Sequence, residues 1–158
     1  MSVLFLDIDG VLNSIQFAIK MQGHPMYRHA LDPVCVQHLQ RVVDHTGCGL
    51  VISSTWRRLH SLERIGEMLG AAGLHDFAIV GATPVANEPG ITRGDEVLEW
   101  LRINKYKEQY VVVDDSRDFY PRQPIVRTSS EVGLTWEDAE CVIRLLQQQD
   151  VNYDMCFS

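Results

Sequence analysis

The sequence predicts an α/β domain in three layers, a mostly parallel five-stranded sheet with helices on both faces. Three observations carry this expectation. Short apolar runs alternate with amphipathic stretches, the strand–helix–strand order of parallel sheets. No repeat, low-complexity stretch or linker interrupts the 158 residues, so residues 1–158 are expected to form a single domain. Hydrophobic residues make up 46% and charged residues 22%, enough to bury a core without disulfide or metal staples.

Each element has its own warrant. Residues 3–6 (Val-Leu-Phe-Leu) read as a buried strand ending at Asp7. Asp32 caps a helix with Pro33 in its first position; it runs to about Thr46, carries an apolar stripe of Cys35, Leu39, Val42 and Val43, and stops at Gly47. Residues 50–52 form a second strand that ends at Ser53. A helix over 61–72 turns Leu62, Ile65 and Leu69 inward and stops at Gly73. Residues 77–80 form a third strand, stopped by Gly81. Thr92 to Asp95 has capping-box spacing ahead of Val97, Leu98 and Leu101. Residues 110–113 form a fourth strand ending at Asp114, and 124–128 a short fifth, placed at an edge by Pro124. Thr135 to Asp138 repeats the capping device before a last helix to about Gln149.

Composition excludes several function classes. Fourteen Lys and Arg against twenty-one Asp and Glu leave a net charge of −7, which disfavours nonspecific coating of nucleic acid or membrane. No apolar run reaches the roughly 20 residues of a membrane span. The start lacks the basic region of a signal peptide, and four cysteines without one suggest reduced thiols in a cytoplasmic protein. Cys35, His38, His45 and Cys48 do not make a zinc site. Cys35 and His45 lie on one predicted helix, about 15 Å apart at 1.5 Å per residue, too far to share one ion.

Ligands of open parallel sheets bind beyond the carboxyl ends of the strands. There the first strand delivers Asp7, Ile8, Asp9 and Gly10, the second Ser53 and Ser54, and the fourth Asp114 and Asp115, with Arg93 at the start of the third helix. Carboxylates crowded this way repel one another unless a cation neutralises them, and Mg²⁺ takes carboxylates, water and phosphate as ligands. A single Asp after a strand is usually a cap or turn residue. Two acidic pairs, each directly after an apolar strand, are much less readily explained that way.

Asp7-Ile8-Asp9-Gly10-Val11-Leu12 resembles the DxDGVL signature of the haloacid dehalogenase (HAD) superfamily of phosphotransferases. Ser53 matches the superfamily's second motif, Arg93 stands where its third motif usually has Lys, and Asp114-Asp115 matches its acidic fourth. Residues 52–57 (Ile-Ser-Ser-Thr-Trp-Arg), Thr83-Pro84, Arg93 with Glu96 and Trp100-Leu101, and Gly133-Leu134-Thr135 are similar to the small HAD domains grouped with RNA-repair phosphatases. The resemblance implies a Rossmann-like, HAD-like fold and a Mg²⁺-dependent phosphomonoesterase. It implies that Asp7 is the nucleophile forming an aspartyl-phosphate and that Asp9 is the general acid and base. Mg²⁺ would be held by Asp7, the carbonyl of Asp9 and Asp114, with Asp115 acting through water or as the alternative direct ligand. Ser53, the Ser54 N–H and Arg93 would hold the phosphoryl group. Arg is not equivalent to Lys, because it offers a fork rather than a point charge.

Neither usual insertion point of a cap domain holds enough residues to fold one, so no separate cap is expected. A flap around residues 13–30, with Phe17, Met21, Met26 and Tyr27, either gates the crevice or contributes these apolar side chains to core packing. The open crevice suits a large phosphorylated substrate. A polynucleotide end is the leading expectation, with nucleotide, phosphoprotein and sugar phosphate as rivals. Arg57, Arg58, Arg117 and Arg122 follow the second and fourth strands and either ring the crevice or lie on solvated loops; in the first case Arg57 and Arg117 are the expected contacts to the rest of the substrate. Trp56 and Tyr120 either stack on a base or pack structurally. Three other readings rank below these. A phospho-aspartate receiver switch places its acidic pair after the first strand and a lone Asp after the third. A DxD glycosyltransferase needs a nucleotide-binding half before residue 7. A catalytically dead binding module is disfavoured because all the expected acidic residues are present.

Overall fold

Every residue of Val3–Leu6 (β1) is buried, because β1 is the middle strand of a five-stranded sheet with helices on both faces. The computed structural model describes residues 1–25 and 30–147. After β1 come Ile15–Lys20 (α1), Pro33–Thr46 (α2), Gly49–Ile52 (β2), Trp56–Leu59 (α3) and Leu62–Ala71 (α4). Then follow Ile79–Ala82 (β3), Arg93–Ile103 (α5), Tyr110–Asp114 (β4), Ile125–Arg127 (β5) and Trp136–Gln147 (α6). The strand order is β3-β2-β1-β4-β5, and every pairing is parallel.

Alternation along the strands makes two cores. Leu4, Leu6, Leu50, Ile52, Val111 and Val113 pack with Leu39 and Val42 of α2, Ile65 and Leu69 of α4, and Val142 and Leu146 of α6. Val3, Phe5, Val51 and Val112 face the other way, onto Val97 and Trp100 of α5. Phe5 meets Trp100 edge-on, with centroids 5.3 Å apart.

The caps of α2, α5 and α6 are those read from the sequence. Asp32 accepts from the Val34 N–H, and Gly47 closes α2 at φ 63°. Thr92 and Asp95 form a reciprocal capping box on α5, and Thr135 and Asp138 do the same ahead of α6.

The structure differs from expectation in two places. The third strand begins two residues late and runs through Gly81 instead of stopping there. Its pairing with β2 slips between Leu50 and Val51, a bulge that leaves Val80 43% exposed at the sheet edge. Gly81 continues the strand because Trp100 closes over it: a Cβ there would lie 3.0 Å from the indole Nε1. The short helices α1 and α3 were not foreseen, since neither is long enough to show an apolar period. The expected end of the last helix, near Gln149, lies outside the described residues, as do Met26 and Tyr27 of the flap.

Between Gly10 and α2 the described chain holds only α1, and between β3 and α5 only a loop, so no separate cap domain is present among the described residues. The first turn of α1 is pinned: Ile15 and Gln16 donate backbone hydrogen bonds to the carbonyls of Ser130 and Glu131. No described helix is long and apolar enough to cross a membrane.

Candidate active site

The parallel ladder extends one residue past three of the strands. Asp7 N–H donates to the Val113 carbonyl (3.1 Å), Ser53 N–H to Leu6 (3.0 Å) and Thr83 N–H to Ile52 (3.0 Å). Thr83, Ser53, Asp7 and Asp114 therefore sit side by side in one row across the sheet. Because Leu6, Ile52 and Val113 point towards α2 and α6, this next row turns to the α5 side. Arg93, the first residue of α5, meets it there. Its guanidinium lies 3.2 Å from Asp7 Oδ1 and 3.0 Å from Asp114 Oδ2.

That end of α5 is held in place by the loop after β4. Asp118 accepts from the Arg93 N–H through its carboxylate (3.0 Å) and from the Gly94 N–H through its carbonyl (2.9 Å). Gly94 permits the approach, since a Cβ would come within 2.4 Å of Gln123 Oε1. A negative group there also suits the positive end of the helix.

Three carboxylates converge. Asp7, Asp114 and Asp115 can each direct one oxygen to a common point, with those oxygens within 4.8 Å of one another. Gly10 makes room for Asp115: it adopts φ +81°, and a Cβ would stand 2.1 Å from Asp115 Oδ2. The Gly10 carbonyl accepts a hydrogen bond from the buried Thr128 hydroxyl at 2.7 Å.

Asp7 is only 2% exposed, and burial, reinforced by Asp114, pushes its carboxyl up to about 7 against the opposing pull of Arg93. Burial also raises Asp114, with Arg93 and the Ser116 N–H acting against it. With all three carboxylates ionised, the one guanidinium would leave two negative charges uncompensated, and burial together with their crowding is what holds protons on the cluster when no metal cation is bound. An all-oxygen donor set carrying that charge is the chemistry of a hard divalent cation.

The remaining expected site residues fall at different depths. Asp9 is exposed at the crevice. Its Oδ2 accepts from Trp56 Nε1 at 3.1 Å and its Oδ1 from Asn13 Nδ2 at 2.8 Å. The Ser53 hydroxyl is buried with no hydrogen-bond partner among the described residues, and so is that of its row neighbour Thr83. Ser54 is fully buried, and its hydroxyl accepts from the Trp56 backbone N–H. A cavity of about 320 Å³ opens beside Asp9 and Asp115, bordered by Asn13, Ser14, Phe17 and Ser130.

Arg57 does not stand on the rim. Its side chain is 6% exposed and binds Glu96 at 2.7 Å together with the carbonyls of Ser53, Ser54, Thr83 and Pro84. A guanidinium so enclosed ties the second and third strand ends to α5. Arg117 and Arg58 are exposed. Arg122 lies at the other end of the sheet, beside Ser2, Lys107 and Tyr110, because the chain has already crossed back towards the start of β5. Trp56 packs in the core with its indole N–H turned to Asp9, whereas the Tyr120 ring is exposed and only its hydroxyl is engaged, donating to Asp95.

Sequence reasoning missed Asn13 and Asp118 and gave no role to Glu96. Only Asn13 carried a local signal, its four-residue spacing from Asp9. The partners of Glu96 and Asp118 lie 39 and 25 residues away along the chain.

Neither a curated protein nor a solved structure gives a significant match to the chain. One family model does, that of the HAD domain in Swiss Army Knife RNA repair proteins, over residues 3–139. The matched stretch starts in β1 and ends in α6, so it contains the whole row of strand-end residues, the Arg93 that caps it and the Gly10 turn that admits Asp115. The chain therefore belongs to the HAD domain family of Swiss Army Knife RNA repair proteins.

Proposed function

We propose that this chain is a Mg²⁺-dependent phosphomonoesterase that works through an aspartyl-phosphate on Asp7 and acts on a phosphorylated polynucleotide end. Membership of the family implies phosphoester hydrolase chemistry in RNA repair. One observation carries the finer reading: Arg93 bridges Asp7 and Asp114 while Asp115 closes on Gly10, so a nucleophile, a cation and a metal-type donor set share one point.

An Asp7 oxygen attacks phosphorus, and the bond from phosphorus to the leaving oxygen breaks. Asp9 gives its proton to that oxygen. Water then attacks the phosphorus of the aspartyl-phosphate, Asp9 takes the water proton, and the Asp7 carboxylate and inorganic phosphate separate. Arg93 and the Ser53 hydroxyl bind phosphoryl oxygens, which gives a use to the Ser53 Oγ, buried without a partner among the described residues. Asp7, Asp114, Asp115 and the Asp9 carbonyl would hold Mg²⁺, which when bound offsets the phosphate charge and so lets a carboxylate approach it. The cavity beside Asp9 is the space for the group that leaves.

A second reading, a mononucleotide as substrate, is favoured by Arg57. One of the two arginines expected to hold a polyanion is committed to internal partners. The test compares kcat/KM for 3′- and 5′-phosphorylated oligonucleotides with the matching mononucleotides and a phosphopeptide, with Mg²⁺ and with chelator. The proposal expects an oligonucleotide to lead and chelator to abolish turnover. A clear lead for the mononucleotide would move the assignment to nucleotides. Undiminished turnover in chelator would remove the metal.

A further inference from the structure

Trp56 donates to one oxygen of Asp9 and Asn13 to the other, from two different segments of the chain. We infer that these two residues are positioning residues that set the orientation of Asp9 as the proton carrier, an inference that rests on the phosphatase reading above.

Each donor is itself fixed. Trp56 is 6% exposed, with its ring in the larger core. Its backbone N–H bonds the Ser54 hydroxyl at 3.2 Å, and its carbonyl accepts from the His60 N–H at 2.9 Å. The indole N–H thus arrives at the crevice from a ring that cannot swing. Asn13 is held through its other amide atom, since Oδ1 accepts from the Gly10 N–H at 3.0 Å. The same side chain therefore links the acid–base residue to the turn that admits Asp115.

The chemistry of the donors gives the contacts their direction. Indole N–H is a donor only, and the amide N–H₂ of Asn likewise only donates. A carboxylate offers about four acceptor positions, and the clamp uses one on each oxygen. The carboxylate plane is set, and the other positions remain for the leaving oxygen and then for water. An exposed Asp on a loop would otherwise rotate freely about its side-chain bonds. Misplacing a catalytic group by about 1 Å can cost about 100-fold in rate.

The clamp has a signature that a purely structural role lacks. Expulsion of a good leaving group needs little protonation, whereas a poor one depends on it. The experiment measures kcat/KM for phosphate esters from nitrophenol to simple alcohols, with Mg²⁺, for the wild type and for Trp56→Phe, Asn13→Leu and Asp9→Asn. Trp56→Phe keeps an aromatic ring and removes the N–H. Asn13→Leu acts from a different element, so a folding defect in one variant does not decide the matter. Both are expected to lose at least about tenfold more on alkyl than on nitrophenyl esters, moving towards the leaving-group dependence of Asp9→Asn. Parallel losses across the series in both variants, or none, would overturn the clamp while leaving the phosphatase reading standing. A folded, metal-loaded wild type that hydrolyses no ester would overturn both.

Discussion

Asp7 is buried against another carboxylate, and that fact has a measurable consequence. In the metal-free protein its carboxyl sits at about 7, against about 3.9 in an unfolded chain. Between those values the native state keeps a proton that the unfolded chain has lost, so stability falls as pH rises from about 4 to about 7. Above that the contribution is flat. Asp7→Asn should remove the fall, raising apo stability at pH 7 by an amount on the order of 3 kcal/mol, and should abolish turnover. Denaturant titrations of both proteins in chelator, across that window, check the sign. Gly10→Ala makes a second residue-scale test. Its Cβ would displace Asp115, and its φ of +81° is strained for alanine, so Mg²⁺ affinity by calorimetry should drop sharply. Unchanged affinity would take Asp115 out of the metal site.

At the scale of elements, the site is tied together by pairs distant in sequence. Arg57 on α3 and Glu96 on α5 are 6% and 13% exposed, and the same guanidinium binds carbonyls at the second and third strand ends. Arg57→Ala should cost about 3–5 kcal/mol, because it strands a buried carboxylate and several carbonyls. It should lower turnover of oligonucleotide and aryl phosphate alike. A selective loss on the oligonucleotide would restore Arg57 to substrate recognition. Such ties explain what was legible beforehand. The central strands β1, β2 and β4 are short apolar runs ending in chemistry, and the DxDG turn and acidic pair stand at fixed offsets from them. β3 slipped because a bulge leaves no periodic trace in four residues at an edge. The Trp56–Asp9 and Arg57–Glu96 contacts stayed hidden, because their spacings of 47 and 39 residues carry no periodic signal and the direction of a side chain is set by tertiary packing. The same limit separates the expected ring of four arginines from the observed placement of Arg57 and Arg122.

For the whole molecule, a net charge of −7 and a sheet end with no cap domain among the described residues would leave the holding of the proposed polynucleotide substrate to a few exposed cations. Arg117 follows the acidic pair and is exposed. Arg117→Ala should leave the melting temperature and aryl-phosphate turnover unchanged. It should reduce the salt dependence of kcat/KM for a phosphorylated oligonucleotide by about one unit of log–log slope. An unchanged slope would place the substrate elsewhere.

The covalent step is the centre of the proposed chemistry, and one measurement addresses it directly. The protein is mixed with Mg²⁺ and a phosphomonoester labelled in its phosphate, quenched in acid within the first turnover, and digested for mapping. The expected result is an acid-stable, base-labile phosphate on the peptide containing Asp7, absent from Asp7→Asn, which also fails to turn over. Steady turnover by Asp7→Asn, with no labelled peptide from either protein, would contradict nucleophilic attack by Asp7.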